Sequence, residues 1–97
     1  MELTGKQKRH LRALAHHLKP CVNLGKQGII DSVMVQLEAN LLAHELIKVK
    51  LLQTCPMEKD ACAQAISQGT GATLAQALGR TLLFYRPHPD KPQLQLP

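Results

Sequence analysis

Leu24-Gly25-Lys26-Gln27-Gly28 places two glycines around a cation, between a short apolar stretch and a helical pattern that begins near Ile30. Glycine has no Cβ, so the backbone of such a loop can adopt a positive φ and approach a ligand closely. The first N–H groups of the following helix lack intrahelical partners and favour anions. The stretch therefore predicts a strand, a loop suited to phosphate and a helix, in that order.

The positive charge of the chain is concentrated ahead of this loop. Residues 1–26 contain six lysines and arginines and one acid, Glu2, whereas residues 27–97 contain six residues of each sign. The formal net charge of +5 thus comes from the segment that leads into the loop. A localised excess of this kind indicates a polyanionic partner, and nucleic acid is favoured over an anionic membrane because bulky apolar anchors are scarce.

Composition narrows the class of protein further. The 97 residues, 44% of them apolar, suit one compact domain. The longest apolar runs fall far short of the roughly 20 residues of a membrane span, so we expect a cytoplasmic protein with no membrane partner. Phe84 and Tyr85 are its only aromatic residues. Because bases could stack on so few rings, nucleic-acid binding would depend on backbone contacts and shape.

No metal site, cofactor or catalytic site is predicted. Cys21, Cys55 and Cys62 lack the short spacing of zinc and redox motifs, and we expect reduced, mostly buried thiols. His16 and His17 are adjacent and diverge by about 100° on a helix, which disfavours joint metal ligation. The chain has no Walker-type loop, no paired carboxylate motif and no nucleophile with a base, so it is not expected to be an enzyme.

A basic, amphipathic first helix is predicted over residues 5–18. Thr4 and Gln7 have the spacing of a capping box, and apolar residues then recur at helical intervals. The opposite face carries cations and histidines: Lys6, Arg9, His10, Arg12, His16 and His17. This face is either simply solvated or binds a partner, and the two interpretations differ in the salt dependence of binding.

The next elements are predicted to be strand, helix and strand. Residues 21–24 form a short buried strand, residues 30–44 an amphipathic helix, and residues 45–52 an alternating strand. Lys48 and Lys50 lie on the exposed face of that strand, as solvated cations or as ligand contacts. This order predicts that the two strands pair in parallel.

The last elements are predicted to be a helix and a hairpin. Pro56 and Gly69 bracket the helix, whose inward residues are Ala61, Cys62, Ala65 and Ile66. Strands over residues 72–78 and 81–86 are joined by Gly79-Arg80 as a type II′ turn. The fold class is therefore α/β, a two-layer α-β-α-β-α-β-β domain with one mixed four-stranded sheet. Prolines with little to pack predict a flexible tail over residues 88–97.

Five separated strings resemble the YhbY family, the stand-alone bacterial form of the CRM (chloroplast RNA splicing and ribosome maturation) domain. They are Thr4-Gly5-Lys6-Gln7-Lys8, Leu18-Lys19-Pro20, the glycine loop, His44-Glu45-Leu46-Ile47-Lys48-Val49-Lys50, and Gly79-Arg80-Thr81-Leu82 with Tyr85-Arg86-Pro87. The resemblance spans Leu3 to Pro87 and implies a single CRM-type RNA-binding domain over residues 1–87. It also implies a fold similar to the C-terminal domain of translation initiation factor three.

The resemblance further implies RNA as the partner, because bacterial members are associated with precursors of the large ribosomal subunit. Ribosomal proteins are further candidate partners, and we expect a monomer. The sequence departs from the family at its end, where a basic tail is usual and this chain reads Gln93-Leu94-Gln95-Leu96-Pro97.

By position, Gly25 and Gly28 frame the RNA-contacting loop, and Lys26 and Gln27 form its exposed tip. We expect the N–H groups of Gln27, Gly28 and Ile29 to hold a phosphate. Neighbouring phosphates would contact further cations, which are Lys6, Arg9, Arg12, Lys19, Lys48, Lys50, Arg80 and Arg86. The alternative function is a protein-interaction module that docks on a ribosomal protein or an assembly factor.

Overall fold

Three helices and one mixed four-stranded sheet form the fold, which confirms the predicted fold class. The computed structural model describes residues 2–97, and its elements are α1 (Gly5–Ala15), β1 (Val22–Leu24), α2 (Asp31–His44), β2 (Leu46–Leu51), α3 (Lys59–Thr70), β3 (Thr73–Leu78) and β4 (Thr81–Tyr85). The strands lie in the order β1-β2-β4-β3. The parallel pairing of β1 with β2 and the antiparallel β3–β4 hairpin are as predicted.

α1 begins at the predicted capping box and ends earlier than predicted. The Thr4 hydroxyl accepts a hydrogen bond from the Gln7 N–H at 3.1 Å, and the Gln7 side chain accepts one from the Thr4 N–H at 3.0 Å. The helix ends at Ala15, and the Leu18 N–H then donates to the Ala15 carbonyl at 3.0 Å in a tight turn. The shorter helix covers less of the sheet than the apolar pattern indicated.

The helices lie on both faces of the sheet. α2 and α3 pack on one face, where Leu37 and Ile66 bury Phe84. α1 packs on the other face, where Leu11 contacts a second cluster that includes Leu83. The apolar side of α1 is buried on the sheet face that α2 and α3 leave uncovered. The fold therefore has a partial third layer, where the sequence predicted two layers.

α3 lies slightly later in the chain than predicted. Pro56 precedes the helix and Gly69 lies within its last turn. The helix ends at Thr70, and Gly71 follows it with a φ of 76°, the left-handed conformation that glycine adopts at a helix end without a steric penalty. Gly69 and Gly71 both fit the pattern of a glycine after the last turn of a helix. The sequence predicted an end at Gly69, and the structure uses Gly71.

The inward face of α3 is partly as predicted. Cys62 and Ile66 are buried and Ala65 is half-buried, but Ala61 is exposed and Ala63 takes the inward place. Residues 62, 63, 66 and 70 share one side of an α-helix, and residue 61 lies on the opposite side. The rotation of the helix about its axis therefore determines which residues face inward, and the sequence pattern assigned this rotation incorrectly for Ala61.

The three cysteines are free, and their burial differs. Cys62 is buried, Cys55 is half-buried and Cys21 is exposed, so the expectation of mostly buried thiols holds fully only for Cys62. Burial, together with the neighbouring Cys55 thiol, raises the pKa of Cys62 to about 11. Cys62 is therefore a protonated thiol at neutral pH.

Among residues 2–97, no helix has the length and apolar character needed to cross a membrane. Over the same residues, no group of three or more His, Cys, Asp or Glu side chains could hold a metal ion.

The tail packs against the domain, where the sequence suggested that it has little to pack. Leu94 and Leu96 contact the cluster beneath α1, and the Gln7 side-chain amide donates to the Pro97 carbonyl at 3.2 Å. This surface is assembled from α1 and the sheet, so the proline-rich segment contains no local signal for it. The boundary at residue 87 and the flexibility of residues 88–97 remain predictions.

Glu45 holds the tail through its carboxylate. The residue is only 2% exposed. It accepts hydrogen bonds from the backbone N–H groups of His88, Gln93 and Leu94 at 2.7, 2.7 and 2.8 Å. Its φ of 63° lies in the left-handed region, which a residue with a side chain adopts at an energetic cost. Burial alone would raise the pKa of Glu45, but the three N–H donors outweigh burial and lower it.

We expect Glu45→Gln to loosen the tail and to lower the free energy of unfolding by about 1–3 kcal/mol, because an amide leaves N–H donors without an acceptor. Urea denaturation measures the stability, and amide hydrogen exchange over residues 88–96 measures the order of the tail. The control is Glu2→Gln at an exposed position, for which a change within about 0.5 kcal/mol is expected. Unaltered exchange in the folded Glu45 variant would contradict the assignment.

The same carboxylate makes the tail sensitive to acid. Its pKa is lower in the folded chain than the usual 4.5, so its stabilising contribution is present above pH 4.5 and is lost as the pH falls through the lower, folded value. During an acid titration, the amide chemical shifts of Gln93 and Leu94 should therefore change below that pH. Glu45→Gln should abolish this titration step.

Candidate nucleic-acid interface

The glycine loop lies at the edge of the sheet where β1 and β2 end. The last residues of these strands are register partners, so residues 25–28 and the β2–α3 connection, residues 52–58, leave the sheet side by side. The β3–β4 turn lies at the same edge, because the Arg80 guanidinium donates to the Leu52 carbonyl at 3.2 Å. These three connections form one surface, and it carries both Lys26 and Arg80.

The tip of the loop is open and its base is enclosed. Lys26 and Gln27 are exposed, whereas Gly28 is buried. Gly28 has a φ of 67°, and a Cβ added there would lie 3.5 Å from the Met57 sulfur. The added Cβ would be in ordinary contact with Met57, but the positive φ would strain the backbone of any residue with a side chain. Gly28 is therefore a structural requirement of the loop, and the accessible groups are those of the tip.

Only part of the expected phosphate-binding backbone is available. The Gly28 N–H donates to the Gly25 carbonyl at 3.0 Å and closes the turn, so the expectation that this group holds a phosphate is wrong. The N–H groups of Gln27 and Ile29 have no hydrogen-bond acceptor among residues 2–97. α2 begins with Asp31, whose carboxylate already complements the positive helix end and repels a phosphate there. Phosphate contacts are therefore expected at the loop tip, not at the helix end.

A shallow hollow of about 400 Å³ borders the loop. We call it the loop hollow, and its lining consists of Asn23, Gly25, Lys26, Gln27, Gly28, Ile30 and Val33. This lining contains no acidic residue and one lysine. None of these lining side chains would repel an anion at the tip, because Asp31 lies outside the lining.

A second concave surface of about 370 Å³ lies between α1 and the uncovered part of the sheet. We call it the sheet groove, and its lining consists of Arg12, Ala15, His16, Pro20, Lys48, Lys50, Gln76, Leu78, Thr81 and Leu83. The structure thus brings the predicted residues Arg12, Lys48 and Lys50 to one place. Sequence reasoning missed Gln76, Leu78 and Thr81, because only the pairing of β3 with β4 places them beside the cations.

Lys48 is engaged within the fold. Its ammonium group donates to the Ala15 carbonyl at 2.8 Å and to the Leu18 carbonyl at 3.1 Å. Both carbonyls lie at the end of α1, where a cation also complements the helix dipole. Lys50 faces the same side of the sheet and is exposed. Lys48 therefore positions α1, and Lys50 is the cation of this strand that remains accessible.

Arg86 is also engaged within the fold, and it lies apart from the sheet groove. Its guanidinium forms a two-point ion pair with the Glu38 carboxylate, one contact being 2.9 Å, and donates to the Thr70 carbonyl at 2.8 Å. The pair raises the pKa of Arg86 and lowers that of Glu38. These contacts join β4 to α2 and α3, which pack on the face opposite α1. The geometry thus gives the expected RNA contact at Arg86 no support.

The remaining predicted cations are spread more widely. Lys6 and Arg9 are exposed on the first turns of α1 and do not line the sheet groove. Lys19 lines a separate hollow with Asn40 and His44. Arg12, Lys26, Lys50 and Arg80 therefore form the part of the predicted site that the fold gathers near the loop edge.

Comparison with known proteins identifies the family. The family model of the CRS1 / YhbY (CRM) domain matches residues 3–86. This chain therefore belongs to the CRS1 / YhbY (CRM) domain family, as its sequence motifs predicted.

Similar proteins match nearly the whole chain. The Bacillus subtilis protein named Probable RNA-binding protein YqeI is 43% identical over 95 residues, which are 98% of this chain and 99% of that protein. A Haemophilus influenzae protein named RNA-binding protein is 41% identical and covers 98% of this chain and 95% of its own length. The solution structure of the hypothetical protein SAV1595 from Staphylococcus aureus has a TM-score of 0.80 and 38% identity, and the match covers 99% of this chain and 100% of that one.

Lys48→Met should lower the free energy of unfolding by about 1.5–3 kcal/mol, the usual contribution of hydrogen bonds to a charged group. Lys50→Met is the matched control, two residues along the same strand face, and a change within about 0.5 kcal/mol is expected. Urea denaturation followed by circular dichroism compares the two. Equal stability losses in both variants would show that the ammonium contacts of Lys48 do not anchor α1.

Proposed function

We propose that this chain binds RNA, specifically ribosomal RNA in precursors of the large ribosomal subunit. The observation that carries the proposal is the match, over nearly the whole chain, to relatives that are named as RNA-binding proteins. The concentration of positive charge in residues 1–26 supports the same partner. The family and the names of the relatives point to a non-enzymatic role, and we propose a cytoplasmic monomer without a cofactor.

The loop tip is the proposed centre of the contact. Lys26 supplies a cation, and the N–H groups of Gln27 and Ile29 supply hydrogen-bond donors to one phosphate. Arg80 lies at the same edge and would contact an adjacent phosphate. Because the donors are backbone groups and cations, affinity should depend strongly on salt and weakly on base sequence.

Lys26→Ala should weaken RNA binding and reduce the slope of log affinity against log salt concentration by about 0.7, the contribution of one neutralised phosphate on a single strand. Fluorescence anisotropy with a labelled ribosomal RNA fragment at several salt concentrations measures both quantities. Lys91→Ala removes an equal charge from the exposed tail and is the matched control. A salt slope that is identical in both variants would remove the loop tip from the proposal.

Gly28 is a poor position for such a test. A substitution there would strain the backbone, because the φ of Gly28 is 67°, so a loss of binding could result from misfolding. The double variant Lys26→Glu, Gln27→Glu reverses the charge at the tip and leaves both glycines in place. It should remain folded and lose most of its RNA affinity.

The ribosomal part of the proposal has its own test. A tagged copy of the chain should sediment with precursors of the large subunit in a sucrose gradient of cell lysate, and crosslinking should locate the RNA segment. Nuclease treatment and high salt should release it. Sedimentation with mature small subunits, or with no ribosomal particle, would contradict this assignment.

The alternative function, docking on a ribosomal protein or an assembly factor, is favoured by one feature of the surface. Val35 and Leu42 on α2 are 67% and 43% exposed, and they lie seven residues apart on one side of the helix. Association that survives nuclease and is insensitive to salt would support this alternative. Val35→Ser with Leu42→Ser should then abolish the association, whereas RNA-dependent association should be unaffected.

A further inference from the structure

The loop hollow and the sheet groove adjoin each other. Asn23 lines the first and Lys50 lines the second, and these two residues are register partners in the parallel β1–β2 pair. Asn23 lies between Val22 and Leu24, which face the core beneath α2, so its side chain points to the α1 side, as does that of Lys50. Adjacent strands are about 4.8 Å apart. Asn23 and Lys50 therefore bring the two surfaces within about one strand spacing of each other at the edge strand β1.

The sheet groove has the chemistry that a nucleotide requires. Arg12, His16 and Lys50 surround it, and its lining includes no acidic residue. By contrast, the hollow beside the start of α3 is lined by Glu58 and Asp60 as well as by cations. The volume of about 370 Å³ is at the low end of the range for small-molecule sites. Cations at the rim and this limited volume suit one nucleotide with its phosphates.

The interior of the groove offers both apolar and polar surface. Leu83 is buried at its floor, and Leu78 is 68% exposed. An irregularity between Leu74 and Gln76 shifts the register of β3, so that Gln76 pairs with Leu83 and Leu78 pairs with Thr81. Such an irregularity changes the face to which the following side chains point. It therefore places an apolar contact and an amide on the groove side of the sheet.

We infer that the sheet groove seats one nucleotide of a single-stranded RNA segment whose neighbouring phosphate lies on the loop tip. The segment must be single-stranded, because a base paired in a duplex cannot enter a groove of this size without leaving its partner. Leu78 would contact the face of the base, Gln76 and Thr81 would offer hydrogen bonds to its edge, and Arg12 and Lys50 would hold the flanking phosphates. This inference rests on the proposed RNA binding. It adds that the bound RNA is single-stranded and that one of its nucleotides binds in the sheet groove.

The direct test is an NMR titration of the intact chain with a mixed-sequence single-stranded RNA decamer. The amide signals of Gln76, Leu78 and Thr81 in the groove should shift together with those of Lys26 and Gln27. A blunt-ended RNA duplex of ten base pairs, in which every base is paired, should shift the loop signals and leave the groove signals unchanged. Loop shifts without groove shifts on adding the decamer would overturn the groove assignment and leave the proposed function in place. The absence of any shift with either RNA would overturn both.

A pair of variants measures the effect on affinity. Arg12→Gln with Lys50→Gln should weaken decamer binding about tenfold, or about 0.7 kcal/mol for each removed cation, which is within the range for exposed charge pairs. The salt slope should fall by about 1.4, or about 0.7 for each phosphate released. Lys8→Gln with Lys91→Gln removes the same charge from exposed positions outside the groove. Equal losses in the two double variants would show a general effect of net charge and would overturn the inference.

Discussion

The contact between the Lys48 ammonium and the two carbonyls at the end of α1 determines which part of the sheet stays open. It holds α1 over β2 at Ala15 and Leu18, while Leu11 packs on the second cluster. The helix therefore occupies one part of this face, and within residues 2–97 no helix covers the part nearest the loop edge. Lys50 and Thr81, which pair across β2 and β4, lie in that open part. The sheet groove is thus a consequence of where α1 ends.

Cations of the same type have different roles in this chain because their surroundings differ. Arg86 has a side chain that is only 18% exposed, so it needs the Glu38 carboxylate and a carbonyl as partners. Lys48 is half-buried and is held by carbonyls, whereas Lys50 and Lys26 are exposed. Partly buried cations are therefore committed to the fold, and exposed ones are available to a ligand. A count of positive charges in the sequence does not separate these two groups.

Local patterns predicted the order of the elements well. The capping box at Thr4, the alternation around Val49 and the turn at Gly79 each depend on neighbouring residues, and each is present in the structure. Features that depend on distant residues were not predictable in the same way. Residues at the end of α1 contact Lys48, and the tail contacts Glu45, which lies 43 residues before His88 and 49 before Leu94. A sequence pattern contains no signal for such partners.

The candidate site also has one part that depends on neighbouring residues and one part that depends on distant residues. The loop tip was predictable because a glycine on each side of Lys26 is a local signal, and the structure leaves that tip exposed. The sheet groove was not predictable as a unit, because Gln76 reaches it only through the shift of register in β3. The shift also has a consequence for recognition. In a chain with so few aromatic residues, aliphatic and amide side chains become useful base contacts, and the shift places Leu78 and Gln76 on the face that carries Lys50. Backbone and cation contacts would then supply most of the affinity, and these two side chains the limited preference among bases.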